Sequence, residues 1–387
     1  MTADSPLLER LGVRYFRRLS QSIGPVDAGD GVHYLNPDER HAMRRVERGT
    51  IVRACVAGAL STMVSAAAEV LAHPLLGANP DTASPAAQLQ FWGIVGGATA
   101  AASIVEIGYL YWDGLRSVHR LAHVAGLDLF PDESPIEGHG ERVAVAHAMA
   151  RAALELPNPT AAVLGVDPRR EASKLGLVLA SVVYKLKISV SNFLIKAIVR
   201  RMLGRAFVRA WLPFVAVPIT AIWNGLVAWL VIREARIRAM GPSAVIEMVS
   251  NVLSTHPDQL SVDGQAAMLR AVASSIVRTR DLHPNLVALL TYAKSRVGDA
   301  DTHALDDSRS FLAALHTLAP GEQVLVLEML SIAAIIDGRV TPSEKQLLRE
   351  ARAACGRSLD LGATYRLRRA FVAGDALDVA LLRDTAR

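Results

Sequence analysis

Two cysteines in 387 residues leave no material for a disulfide-stapled scaffold or a cysteine-built zinc site. Aromatic side chains are sparse, at 5%. Neither sign of charge dominates: 42 Lys and Arg stand against 37 Asp and Glu, for a net charge of +5. Hydrophobic residues make up 51% of the chain and charged residues 20%. A disordered chain would show the reverse balance, and a collagen-like or low-complexity composition is excluded too. The sequence has no GxxxxGK(S/T) phosphate loop and no GxSxG nucleophile elbow. Cys55 and Cys355 have no evident base, and no acid–base pair stands out, so no enzymatic activity is expected. The first fifty residues are polar and arginine-bearing, without an apolar core or a small-residue cleavage site. No signal peptide is therefore expected, and membrane insertion would use internal segments.

What the chain has is apolar length, with a mean hydropathy of +0.26. Much of the basic charge flanks apolar runs. Arg40, Arg44, Arg45, Arg48 and Arg53 precede the first run, Lys196 to Arg209 precede the last, and Arg233, Arg236 and Arg238 follow it. That placement suits an anionic membrane surface on the cytoplasmic side and argues against nucleic acid as partner.

Residues 51–72 and 91–112 each offer twenty-two mostly apolar positions, enough to cross a core of about 30 Å. The loop between them carries no Lys or Arg, which predicts a hairpin with both ends in the cytoplasm. Small residues recur every fourth position at Ala54, Gly58, Thr62 and Ala66, and at Gly93, Gly97 and Ala101. These ridges predict close helix packing; a buried hairpin in a soluble alanine-rich bundle is the alternative. Glu69 and Glu106 interrupt the runs, and a charge in lipid needs a partner. Arg53 is the expected partner of Glu106.

Elsewhere the signals are amphipathic. A helix over 6–22 has Leu7, Leu8, Leu11, Tyr15 and Leu19 on one face, with Arg10, Arg14, Arg17 and Arg18 around it. That face lies on a bilayer or packs on protein. His119 and His123 have the i,i+4 spacing of a metal pair but no acidic third ligand, and the favoured reading is two solvated histidines. Residues 142–156 read as an alanine-rich helix. Lys174, Lys185 and Lys196 recur every eleven residues, close to one helical face, with Arg200 near it. They are the expected contacts to anionic lipid, unless they form the solvated edge of a bundle. Residues 212–232, LPFVAVPITAIWNGLVAWLVI, contain no charge but hold Pro213 and Pro218. A re-entrant dip, or burial against the hairpin, is expected in preference to a crossing.

The basic helix, the LPFVAVP stretch, the AIWNGLVAWLV helix and the exit REARIRAM, together Lys174 to Met240, resemble the EcsC-like family. The resemblance implies a helical, membrane-associated bacterial protein with no established catalytic centre. From Pro242 onward the pattern predicts soluble helices over 243–255, 262–280, 285–297, 302–318, 320–336, 342–355, 363–373 and 376–384. SIAAIIDGRVTPSEKQLLRE, residues 331–350, resembles the TerB-like family of tellurite-resistance proteins in its Asp337-Gly338 turn followed by Thr341, Pro342, Ser343 and Glu344. That resemblance implies a divalent cation such as Ca²⁺ at Asp337 and Glu344. The local chemistry favours another use, a capping box from Thr341 to Glu344 with Pro342 at N1. Asp306, Asp307 and Glu322 would add ligands only if the fold brought them near.

The expected architecture is all-α: an amphipathic region (1–50), a transmembrane helical hairpin (51–112), an EcsC-like membrane-associated region (113–241) and a TerB-like soluble helical domain (242–387). The expected role is a non-catalytic scaffold of the bacterial inner membrane, with cytoplasmic termini and an unidentified protein partner. No cofactor beyond that cation is expected. The alternatives are a transporter component using Glu69 and Glu106, or a soluble lipid-binding bundle.

Overall fold

The computed structural model describes residues 6–23, 33–77, 83–130, 139–159, 161–170, 212–254, 260–297, 305–358 and 360–386. Among these it is all-α. The helices are α1 (Leu7–Ile23), α2 (Pro37–Ala72), α3 (Pro85–Val124), α4 (His139–Ala153), α5 (Leu212–Ser254), α6 (Val262–Thr279), α7 (Pro284–Val297), α8 (Ser308–Leu315), α9 (Pro320–Ile335), α10 (Pro342–Ala354), α11 (Gly362–Ala373) and α12 (Val379–Asp384). A lone bridge between Val163 and Val166 is the only extended pairing among the described residues. The chain divides by contact into two units, neither contiguous in sequence.

The larger unit takes 1–43, 119–173 and 234–387. Its centre is α6, buried from Ala266 through Val277 except at Arg270 and packed against α7, α8, α9 and α10. Helix α9 is enclosed on every side from Leu325 to Ile335, apolar but for Glu328 and Ser331. Local chemistry fixes the helix starts. Ser261 accepts from Gly264 N, Asp307 caps α8 and Asp378 caps α12. The Glu322 carboxylate serves two helices at once, taking Ser261 N at 2.7 Å and Ala319 N at 3.2 Å. Asn285 likewise ties two elements together by donating to Ile237 O at 2.9 Å and Ile336 O at 2.8 Å. Gly241 is required beside it, since a β-carbon there would lie 2.1 Å from the Asn285 side chain.

Helix α5 runs unbroken through Gly241 and Pro242, which corrects the expected break between two segments at that point. Pro242 forgoes one backbone hydrogen bond. Its surroundings hold the helix, with Ala239, Met240, Ala244 and Val245 all buried.

The smaller unit takes 44–118 and, among the described residues, 212–233. The α2–α3 register is antiparallel: Arg53 pairs with Asp113 at one end, and Ala72 packs with Phe91 and Val95 at the other. Nineteen residues separate Arg53 from Ala72, about 28 Å of helix, close to a hydrocarbon thickness of about 30 Å. Helix α5 lies antiparallel to α2, with Gly225 against Cys55 and Thr220 against Gly58.

Pro37–Leu76, Pro85–Val124 and Ala216–Ser254 are long and apolar enough to cross a membrane, and only 28%, 11% and 22% of their most apolar stretches is buried. The re-entrant dip expected for 212–232 is replaced by continuous helix. Pro213 falls in the first described turn, and Pro218 costs a single hydrogen bond, which α5 tolerates.

Candidate functional site

In the smaller unit, three helices bring their polar residues together in two layers. The outer layer centres on Arg53. Its Nε donates to Asp113 Oδ1 at 2.8 Å, and its Nη2 to Ser117 Oγ at 3.1 Å and Thr50 Oγ1 at 3.3 Å. Thr50, Asp113 and Ser117 are all buried. The expected Arg53–Glu106 pair is therefore corrected. Under the antiparallel register Arg53 is level with Asp113, seven residues and about 10 Å of helix beyond Glu106. The signal was the first charge after the second apolar run.

The inner layer joins α3 and α5. Asn224 Nδ2 donates to Glu106 Oε1 at 2.6 Å, and both side chains are buried. Gly58 of α2 makes room for this pair. A β-carbon at position 58 would lie 2.6 Å from Asn224 Nδ2 and 3.0 Å from the Thr220 carbonyl oxygen. The small-residue ridge of α2 thus packs on α5. A β-carbon added at Gly93 or Gly97 would meet no described residue within 4 Å, which corrects the expectation that these glycines pack against α2. Glu69 is half-buried. Aromatic rings mark the Arg53 end: the Arg116 guanidinium sits 5.3 Å from the Trp112 ring centre, and Arg233 lies 5.8 Å from that of Trp229.

The larger unit holds the Asp337–Glu344 turn. Thr341 caps α10, and the capping box is complete: Glu344 N donates to Thr341 Oγ1 at 3.2 Å and Thr341 N to Glu344 Oε2 at 2.7 Å. Ser275 Oγ donates to the other Glu344 oxygen at 3.2 Å, and Asp337 Oδ1 accepts from Arg339 N at 2.8 Å. Burial, and then the neighbouring Asp337, push the Glu344 carboxyl up to about 8. Burial also raises Asp337, against the opposing pull of His283 and Arg339. This donor set does not fit a hard cation, which takes about six to eight oxygens, because both Glu344 oxygens and one Asp337 oxygen are already engaged. Nor do further ligands gather. Asp306 pairs with Arg170, Asp307 caps α8 and Glu322 caps α6 and α9. Among the described residues no group of three or more His, Cys, Asp or Glu could hold a metal ion.

Gly338 follows with φ +75, and a β-carbon there would lie 2.3 Å from Ile237 Cδ1. The turn therefore needs glycine for both conformation and space. Next to it lies a network that the sequence alone did not reveal. Glu234 Oε1 takes Arg238 Nη2 at 2.9 Å and His283 Nε2 at 3.0 Å, while Oε2 takes Arg339 Nη2 at 3.2 Å. Arg238 also donates to Ala148 O at 2.7 Å and Asn158 Oδ1 at 3.0 Å. Residues 233–240 read as a charged exit from an apolar run. The alternation of Glu234 and Arg238 at i,i+4 was the available signal.

The histidine pair is also corrected. His119 is buried at 3% exposure against Phe16, with Nε2 2.9 Å from Ser20 Oγ, and His123 is half-buried. Lys174, Lys185, Lys196 and Arg200 lie outside the described residues. No protein-family model, no curated protein sequence and no solved structure matches the chain.

Proposed function

We propose that the chain is a non-catalytic anchor and scaffold of the bacterial inner membrane. It displays a cytoplasmic helical domain, similar to TerB, to a protein partner. In this reading the hairpin crosses the bilayer with both chain termini in the cytoplasm, and the EcsC-like stretch joins hairpin to domain. An envelope-stress or metal-stress setting follows from the two resemblances alone.

The observation that carries the reading is uncovered apolar surface on helices of spanning length. Leu60 is 55% exposed, Ile104 and Val105 71% each and Ile222 70%. Exposed apolar side chains on three helices of this length point to a membrane or a partner. The Arg53–Ala72 spacing and the aromatic and arginine pairs at one end favour lipid. The engagement of Glu106 by Asn224 and of Arg53 by Asp113 favours structural roles for these groups over an ion path.

The test is fractionation combined with labelling. Membranes washed with alkaline carbonate are expected to retain the chain. A cysteine at Ser84, in a background lacking Cys55 and Cys355, is expected to react with an impermeant maleimide in spheroplasts. Release by carbonate, or labelling only after lysis, overturns the anchor or its topology.

A further inference from the structure

Helix α1 has two opposite surfaces, and the described residues bury one of them. Glu9, Gly12 and Phe16 are buried and fall within about 60° of one another around the helix axis. Glu9 takes His147 Nδ1 and Arg151 Nη2, each at 2.7 Å, and Phe16 lies 5.8 Å from the His119 ring. This corrects the expectation that any packing on protein would bury the leucine face. Leu7, Leu8 and Leu11 are 64%, 45% and 49% exposed. Arg10, Arg14, Arg17 and Arg18 are exposed as well. Glu9 is the only acidic residue of the helix, and it is turned inward and paired. The outward surface of the helix is therefore apolar and cationic, and none of the helix's own carboxylates shares it with the arginines.

We propose that this surface docks on an anionic bilayer. The leucines enter the boundary between headgroups and acyl chains, and the arginines bind lipid phosphates. Charge complementarity selects the occupant. Guanidinium groups bind phosphate oxygens in a bidentate fork, and leucines beside a cationic stripe are the pattern of a helix lying in the membrane interface. The inference deepens the membrane reading above and rests on it. It adds a second attachment, sensitive to lipid charge, whereas the apolar spans are indifferent to it.

The test uses the full chain in lipid nanodiscs, with Cys55 and Cys355 replaced by alanine and an environment-sensitive fluorophore on Leu11→Cys. Leu8→Cys is a second site on the same face, and Ser343→Cys is an exposed control. Discs contain phosphatidylcholine alone or with phosphatidylglycerol added. The emission at positions 8 and 11 is expected to shift to the blue and rise several-fold only with phosphatidylglycerol. The shift should reverse in high salt and in the variant Arg10→Gln/Arg14→Gln/Arg18→Gln, while position 343 stays water-like throughout. Water-like emission in both lipids, from protein that co-purifies with discs, overturns the docking and leaves the anchor intact. Protein that stays soluble and enters no disc overturns the anchor as well. A blue shift in phosphatidylcholine alone that grows with protein concentration identifies a second copy as the occupant and overturns the lipid assignment.

Discussion

Asn224 donates to Glu106 across 2.6 Å, so that an amide on α5 satisfies a buried carboxyl on α3. Replacing the amide removes the donor and leaves a buried oxygen unpaired. Asn224→Leu is expected to lower stability by about 1–2 kcal/mol, whereas Glu106→Gln keeps an acceptor and costs under about 1 kcal/mol. Unfolding in mixed micelles, followed by far-UV circular dichroism, measures both.

The two glycine ridges should respond differently to the same change. Gly58→Ala drives a methyl group into Asn224 and the Thr220 carbonyl, at an expected cost of about 1–3 kcal/mol. Gly93→Ala meets no described residue within 4 Å and is expected to be neutral or slightly stabilising, because alanine is the better helix former. Equal losses in the two variants would contradict this packing.

Glu344 gives the larger unit a pH dependence. Its carboxyl is held at about 8 in the fold, above its ordinary value of 4.5, so the protonated form favours the native state. The stabilisation is complete below about pH 4.5, declines as pH rises and is lost above about pH 8. Glu344→Gln keeps an acceptor for Thr341 and removes the titration. Melting temperatures from pH 5 to 9 are expected to fall with pH in the wild type and to fall less steeply in the variant, where Asp337 is the remaining raised carboxyl of the turn.

Two carboxylates of the larger unit, Glu234 and Glu350, should separate by burial. Glu234 has a side chain 17% exposed and holds Arg238, His283 and Arg339. Glu234→Ala leaves the buried Arg238 guanidinium without its carboxylate and is expected to cost about 3–5 kcal/mol. The Arg278–Glu350 pair is 22% and 31% exposed, and Glu350→Ala is expected to cost no more than about 1 kcal/mol. Denaturant titration of the two variants distinguishes them.

Elements that depend on neighbours in sequence were legible; those that depend on partners in space were not. The capping box at Thr341 and Glu344 needs only four consecutive residues, and α6 to α12 follow the punctuation of Pro, Gly, Asp and Asn. Arg53 shows the limit. Its partner is set by helix register, and Asp113 stood one position past the apolar run. For α1 the leucine periodicity identified a real apolar face, but packing was decided by Glu9 meeting His147 and Arg151, a pairing 138 residues apart in the case of His147. Gly241-Pro242 reads locally as a stop. Burial of Met240 and the contact with Asn285 carry α5 through it.

Arg40 and Asp375, which pair at 2.6 Å, are 335 residues apart, and the Leu35 amide bonds the carbonyl of Gly374 at 3.0 Å. A ribosome adding about 5–20 residues per second delivers the second half of this clasp tens of seconds after the first. Residues 33–43 therefore wait, with their donors unmet, while the hairpin is synthesised. Completion of the larger unit therefore waits on residues 374 and 375, and a nascent chain halted before residue 374 leaves that early segment open to chaperones and proteases.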